Sequence, residues 1–267
     1  MTRRARLDAE LVRRGLARSR EQAAQLVAAG QVRVPGRTAV KAATQVTAAE
    51  PIVVDEPAGE TYVSRGGHKL AGALDAFAGS GLAVDGRRAL DAGASTGGFT
   101  DVLLRRGARS VVCVDVGYGQ LAWSLQTDDR VTVLDRTNVR ELDPAQVGEP
   151  VDLVVADLSF ISLRLVLPAL AGVTDPTGDL VVMVKPQFEV GREALGAGGV
   201  VREPGQRAAA VAEVAAAASG LGLGVAGVTA SPLPGPAGNV EYFLWLRRGA
   251  PDLDPAQLDR AVAEGPQ

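Results

Sequence analysis

From residue 88 onward the chain repeats one pattern: a short, almost purely aliphatic run followed by a stretch of helical character. The runs are RRALDAG, SVVCVDVG, RVTVLD, VDLVVADLSF and DLVVMVKPQF. Their lack of polar alternation marks strands covered on both faces, and intervening helices imply parallel neighbours. The pattern predicts an α/β, Rossmann-like fold with a mostly parallel sheet. The Ala-rich stretch 205–219 reads as one long helix. Residues 223–231 and 239–247 read as two final strands joined by SPLPGPAGN, and the tail from 250 as loosely held. Aromatics are only 4% of the 267 residues, so Val, Leu and Ala must fill the core.

The first quarter follows other rules. Leu7, Leu11 and Val12 form the apolar stripe of a short helix that Gly15 would end. Ser19 and Gln22 have capping-box spacing for a second helix, with stripe Ala23, Leu26 and Val27 and a stop at Gly30. QVRVPGRTAVK then alternates like a strand around a Pro-Gly turn. Residues 1–41 carry ten basic and three acidic groups, a balance of +7, against −10 for the remainder. Such a basic block on an acidic body suits a polyanion, because Lys and Arg release counterions when they neutralise phosphates. The candidate phosphate contacts are Arg3, Arg4, Arg6, Arg14, Arg18, Arg20 and Lys41, with Arg65 beyond a polar linker. The expected division is a helix-helix-strand α+β module at 1–58, a linker at 59–63, the α/β domain at 64–250 and the tail at 251–267.

The lone cysteine, Cys113, cannot form an internal disulfide, and MTRRAR leads into helix-forming sequence rather than an apolar leader. A reducing cytoplasm is therefore expected. The longest apolar candidate, LRLVLPALAGV, contains Arg164 and Pro168 and falls short of the roughly 18 residues of a membrane span. Neither a membrane nor a metal site is expected.

LDAGASTGGFTD (90–101) follows the first strand and opens a helix. Asp91 leaves the strand tip, and Gly93, Gly97 and Gly98 let the backbone approach a ligand. With Ser95, Thr96 and Phe99 they are the cofactor-side candidates of this loop. Neither G-x-G-x-x-G nor the lysine of a phosphate-cradling loop is present. Asp115 ends the second strand, where a carboxylate can hold a ribose diol; Asp135 ends the third, followed by Asn138. Carboxylates at successive strand ends without a phosphate cradle fit S-adenosyl-L-methionine, whose sulfonium is cationic. Asp157 and Lys185 end two further strands, Glu241 interrupts the last, and Lys69 opens the helix before the sheet, so all can reach one crevice.

RLDAELVRRGLARSREQAAQLVAAGQVRVPGRTAVK resembles the S4 RNA-binding domain, through Arg6-Leu7-Asp8, Ser19-Arg20, Ala23, Gly30-x-Val32-x-Val34 and Lys41. Lys69, Asp157, Lys185 and Glu241 resemble the K-D-K-E tetrad of FtsJ/RrmJ-type ribose 2′-O-methyltransferases. Together with YVSRGGHKL, DVGYGQLAW, VADLSFISL, VKPQFEVG and SPLPGPAGNVEYFLWL, the chain resembles the TlyA family, whose members also carry the name hemolysin. The resemblance implies a seven-stranded methyltransferase sheet and methylation of cytidine ribose in the rRNA of the 30S subunit, the 50S subunit or both. A role in capreomycin susceptibility is implied as well, and no obligatory protein partner is evident in the sequence. It further implies that Lys185 deprotonates or orients the 2′-hydroxyl, Lys69 stabilises the oxyanion, Asp157 holds the lysine beside the methyl donor, and Glu241 anchors the network. In SRGGHKL (64–70) the only histidine, His68, is then a helix-start or RNA-facing residue, and Gly66-Gly67 a tight turn into the helix. The alternatives are a base methyltransferase, a non-catalytic assembly factor and, least favoured, a pore-former.

Overall fold

The structure, a computed structural model, describes residues 4–17, 19–28, 30–35, 41–47, 50–54, 61–191, 195–235 and 238–266. It divides into two compact units, residues 1–61 and 62–267.

In the first unit β1 (Arg4–Arg6) leads into α1 (Leu7–Arg13) and α2 (Arg20–Ala28), followed by β2 (Val32–Arg33), β3 (Gln45–Thr47) and β4 (Val53–Val54). β1 pairs antiparallel with β3, and β2 with β4. β2 thus finds its partner at 53–54; the Pro-Gly turn expected to fold it back falls largely outside the described residues, as does the Gln22 side chain of the expected capping box. Leu7, Leu11, Ala23 and Val27 close a small core with Val32, Val34 and Val46. Gly15 and Gly30 both adopt φ +71°, the left-handed stop that glycine supplies most readily.

The second unit opens with α3 (Gly66–Ala78) and alternates: β5 (Arg88–Ala92), α4 (Gly98–Arg105), β6 (Ser110–Val114), α5 (Trp123–Gln126), β7 (Val131–Leu134), α6 (Pro144–Val147), β8 (Val151–Ala156), α7 (Leu163–Val173) and β9 (Thr174–Val184). Then come α8 (Pro186–Glu189), α9 (Pro204–Ser219), β10 (Leu223–Ala230), β11 (Tyr242–Arg248) and α10 (Pro255–Glu264). The seven strands are ordered β10-β11-β9-β8-β5-β6-β7, with β5 to β9 parallel and β11 antiparallel to both its neighbours. Alternate residues serve opposite cores. Leu90, Val112, Val154, Val182 and Leu244 pack under α7, α9 and α10, whereas Ala89, Val111, Val155, Val181 and Phe243 pack under α3 and α4. Most central positions of these strands are therefore apolar, with Asp91 in β5 an exception, which is why the sequence shows runs rather than alternation.

The segment after 250 is not loose. Asp254 caps α10 by accepting the Ala256 N–H at 2.9 Å, Pro255 occupies the first turn, and Leu258, Ala261 and Val262 are buried. The cap and the i, i+3, i+4 stripe were visible in the sequence, and the expectation of a loosely held tail overlooked them. The end of the expected linker is also fastened: the Val63 N–H donates to Asp101 Oδ2 at 2.9 Å, and Arg105 lies over the Tyr62 ring at 5.1 Å.

Strand order reverses between β5 and β8: the chain winds to β6 and β7 on one side and to β9 on the other. Their carboxyl ends diverge there and open a crevice, the usual ligand position of such a sheet.

Candidate active site

Four charged side chains meet at this crevice from four elements. Asp157 directly follows β8, Lys185 follows β9, Glu241 precedes β11, and Lys69 lies in the first turn of α3. Tyr242 pairs with Val184, so the antiparallel register sets Glu241 beside Lys185. The charges form two pairs. Lys69 Nζ donates to Glu241 Oε2 at 2.5 Å, with both groups buried. Lys185 Nζ lies 2.6 Å from Asp157 Oδ1 and donates to Ser159 Oγ at 2.9 Å. The contact with Asp157 is Coulombic, since Oδ1 takes no hydrogen bond of good geometry among the described residues. Glu241 Oε1 also lacks a partner among them and faces the Gly235 backbone, where an added Cβ would come within 2.3 Å.

Beside the second pair is a cavity of about 360 Å³, a size suited to a small cofactor. Of the residues expected there, Gly93, Ser95, Asp115, Asn138 and Asp157 line it; Val116, Val139, Leu158, Ile161 and Val166 give it apolar walls. Gly93 has φ +84°, and a Cβ on it would meet the Asp157 carbonyl at 2.5 Å, so only glycine fits. Asp115 accepts from the N–H groups of Ser95 (2.8 Å) and Gly117 (2.7 Å), which fixes its carboxylate and leaves lone pairs toward the cavity. Asn138 caps the next turn through Arg140 N.

The remaining candidates do not line this cavity, each for a visible reason. Phe99 is core, with its ring 6.1 Å from that of Phe243. Gly97 sits against Leu121 and Leu125, and Gly98 against Ser64 and Gly67. The Thr96 carbonyl accepts from Ala122 N, and Asp135 accepts from Gly119 N. Asp91 is fully buried behind the cavity, bound by Thr100 Oγ1 at 2.7 Å with its other oxygen unpartnered among the described residues. Burial, reinforced by the charges of Asp157 and Asp115 and opposed by the Thr100 hydrogen bond, pushes its carboxyl up to about 7.

Sequence reasoning missed Ser159, which binds Lys185, and Phe160, which lines the cavity yet is 92% exposed and held at φ +63°. Its ring lies 5.2 Å from that of Phe188. Among the described residues, the non-glycine positions of positive φ are Ser95, Arg136 and Phe160. Ser95 and Phe160 line the cavity, and Arg136 lies two residues before Asn138, which also does. Strain of this kind clusters at functional sites.

SRGGHKL resolves differently from expectation in one respect. Gly66 and Gly67 are not a turn but the first residues of α3, without positive φ. Gly67 is glycine because the Tyr62 ring occupies its Cβ position, and a Cβ on Gly98 would come within 2.9 Å of Gly67 N. The two helix starts therefore meet backbone to backbone. His68 packs edge-on to Tyr62 at 5.1 Å and takes no part in either ion pair. Arg65 is exposed and donates to the Pro234 carbonyl at 3.1 Å.

In the first unit Arg4 and Lys41 are exposed, and Arg6 and Arg20 pair with the buried Asp8 while remaining about half exposed. Arg14 turns inward: it pairs with Glu10 at 2.8 Å and donates to the Glu50 and Thr47 carbonyls, a structural rather than a phosphate-facing arrangement. Arg3 and Arg18 lie outside the described residues.

A family model described as FtsJ-like methyltransferase matches residues 62–248, and one for the S4 domain matches residues 5–52. The chain is 60% identical over 272 aligned positions, covering all of both chains, to the 16S/23S rRNA (cytidine-2′-O)-methyltransferase TlyA of Mycobacterium tuberculosis. Hemolysin A of Brachyspira hyodysenteriae is 33% identical across 89% of this chain and 98% of its own. A candidate hemolysin from Streptococcus thermophilus superposes with a TM-score of 0.78 at 38% identity, covering 99% of this chain and 96% of the other. With both domains matched in order and full-length relatives at this identity, the chain is an enzyme of the TlyA family, an S4 domain followed by an FtsJ-like methyltransferase domain.

Proposed function

We propose that the chain transfers a methyl group from S-adenosyl-L-methionine to the ribose 2′-hydroxyl of cytidine in 16S rRNA, 23S rRNA or both, with Lys69, Asp157, Lys185 and Glu241 as its catalytic residues. The observation that carries this reading is the pairing near the crevice: Lys185 pairs with Asp157, which lines the cavity, and Lys69 forms a buried pair with Glu241, the residue before Tyr242, which pairs with Val184. Cytidine and rRNA as substrate rest on the 60% identical relative.

The cavity suits the cofactor. Apolar walls accept an adenine, Asp115 a ribose diol, and the Asp157 carboxylate favours a neighbouring cation. When bound, the cofactor supplies an electrophilic methyl group on a positively charged sulfur. Lys185 Nζ, held by Asp157 and Ser159, then orients the 2′-hydroxyl and, after giving up one proton to solvent, receives the proton that the hydroxyl loses as it attacks the methyl group. Lys69 places a second positive charge where the oxyanion develops, and Glu241 fixes its position. Arg4, Arg6, Arg20, Lys41 and Arg65 serve phosphate, which gives affinity but no base choice.

Cytosine-C5 chemistry, which needs a thiolate, is disfavoured by Cys113. That residue is buried on β6, 3.0 Å from Thr100 Oγ1, and burial pushes its thiol up to about 12. Asp157-Leu158-Ser159-Phe160 also lacks the Pro-Pro step of adenine-N6 enzymes. No helix among the described residues is long and apolar enough to cross a membrane, and work on ribosomal subunits fits a cytoplasmic location. The test is nucleoside mass spectrometry of 30S and 50S subunits incubated with the enzyme and labelled cofactor. The expected product is 2′-O-methylcytidine, lost in Lys185→Ala; a base-methylated product would overturn the reading.

A further inference from the structure

We propose that Glu189 is a positioning residue for methyl transfer: its buried carboxylate fastens the loop after β8 to the turn after β9, and so sets where Asp157, Ser159 and Lys185 meet. This rests on the methyl-transfer reading above and goes beyond the four catalytic residues named there.

Glu189 closes α8, the single turn that follows Lys185, and is buried. Its Oε1 accepts the Leu163 N–H at 2.7 Å and its Oε2 the Ser162 hydroxyl at 2.5 Å, both where α7 begins. Arg164 adds a further tie, donating from Nη2 to the Glu189 carbonyl at 3.2 Å. Ser162 is also the far end of the loop that starts at Asp157, and the backbone of that loop is otherwise sparsely held. Asp157 N donates to the Ala92 carbonyl at 3.0 Å, but residues 158–161 make no backbone hydrogen bond among the described residues. Ser159 accepts from Lys185 Nζ, and Phe160, at φ +63°, sets its ring against Phe188, the residue before Glu189. The loop is thus pinned by the sheet at one end and by Glu189 at the other. Between them Leu158, Ser159, Phe160 and Ile161 all line the cavity.

Capping α7 does not by itself call for this residue. Ser162 already caps the helix locally, its Oγ accepting the Arg164 N–H at 3.2 Å. A carboxylate brought in from 26 residues away must give up its water, a cost that a second cap on the same helix offsets only in part. What Glu189 adds over Ser162 is a join between two segments. The neighbouring parallel strands β8 and β9 deliver Asp157 and Ser159 on one segment and Lys185 on the other. Their contacts span 2.6 and 2.9 Å, so a slip of about 1 Å between the segments breaks them, and misplacement of that size costs up to roughly a hundredfold in rate.

The test uses the full-length chain in a double-mutant cycle: wild type, Glu189→Ala, Ser159→Ala and both together, with Glu189→Gln as the conservative variant. Two quantities are read from protein that circular dichroism shows to be folded. They are the single-turnover rate of methyl transfer into ribosomal subunits and the affinity for S-adenosylhomocysteine by calorimetry. Glu189→Ala should lower the rate about tenfold and the affinity about threefold. In the Ser159→Ala background its effect on rate should shrink below about threefold, because the contact it positions is already gone. Glu189→Gln keeps an acceptor for Leu163 N and a polar partner for Ser162, so its rate should stay within about threefold of wild type. A merely structural role gives the same factor in both backgrounds, and that result overturns the proposal. A wild-type rate in Glu189→Ala, or a Glu189→Gln as slow as Glu189→Ala, overturns it too. If Glu189→Ala does not fold, Ser162→Ala, which removes one of the two bonds, takes its place in the cycle, and equal losses in both backgrounds again overturn the proposal. Methyl groups found on a base would sink only the reaction proposed above, since the cycle counts them wherever they land. If the wild type transfers none, that reaction falls and the affinity decides: unchanged S-adenosylhomocysteine binding in Glu189→Ala then overturns the positioning role.

Discussion

The buried Lys69–Glu241 pair makes a quantitative prediction about coupling. Its partners are 2.5 Å apart, their side chains are 8% and 0% exposed, and Glu241 Oε1 has no other described partner. Removing one charge therefore leaves the other desolvated with nothing to replace the contact, a loss of about 3–5 kcal/mol. Lys69→Met and Glu241→Met should each lower the melting temperature of the catalytic unit by roughly 10 °C, at about 2–4 °C per kcal/mol for a domain of this size. The double variant removes both charges and leaves an apolar pair, so it should be more stable than the sum of the singles by about 2 kcal/mol. Differential scanning calorimetry of the full chain reads this. The catalytic transition is identified as the one that rises on addition of S-adenosylhomocysteine. Strict additivity, within about 0.5 kcal/mol, would show that the two charges do not hold each other, and the assignment of Glu241 as the anchor of Lys69 would fall.

At the opposite end of the sheet, the buried Asp179 accepts from Arg87, Arg247 and Trp245. Asp179→Ala should cost about 3 kcal/mol in calorimetry while S-adenosylhomocysteine binding at low temperature survives. Burial pushes the Asp179 carboxyl up, but the hydrogen bonds from Arg247, Arg87 and Trp245 outweigh it and hold it below the usual range. Its stabilisation is thus present near neutrality and lost as pH falls through the folded value, so the wild-type advantage over Asp179→Asn should shrink in acid urea titrations. In the S4 unit, hydrogen bonds from Arg6 and Arg13 hold Asp8 and Glu10, respectively, at about 2. Circular dichroism should show the stability gap between wild type and Glu10→Gln full above about pH 4.5 and closing toward pH 2. Finally, Gly98→Ala would set a Cβ within 2.2 Å of Ser64 Oγ and 2.9 Å of Gly67 N. It should destabilise the unit by about 2 kcal/mol and displace Lys69, cutting methyl transfer at least tenfold in a single-turnover assay.

The parallel sheet could be read directly because strands buried on both faces leave no polar alternation, and every expected run from 88 to 248 became a strand of it. Residues at strand ends were legible for the same reason: a charge that closes an aliphatic run comes to the rim, as Asp157, Lys185 and Glu241 show, whereas Asp91, inside β5, is buried. What stayed hidden depends on contacts distant in sequence. Gly66-Gly67 looked like a turn, since nothing local reveals that Gly98 abuts Gly67. Phe99 looked cofactor-facing because it follows the glycines, yet the first turn of α4 points it at Phe243. Arg14 looked like its neighbours on a basic helix, and only the fold shows Thr47 and Glu50 receiving it. Phe160 sat inside VADLSFISL without being singled out, because an exposed left-handed phenylalanine contradicts ordinary preference and is the kind of residue that pattern rules discount.

The strained backbone at Ser95, Arg136 and Phe160 bears on how such an enzyme can be altered. Each left-handed L-residue raises the folded state by about 1–2 kcal/mol, whereas glycine there would cost roughly 0.5–1 kcal/mol in chain entropy. A search for thermostability alone would thus drift toward glycine at all three. Heat-tolerant variants recovered without a methylation screen should therefore be sequenced at these positions first, because the gain in melting temperature and the loss of turnover would come from the same substitutions.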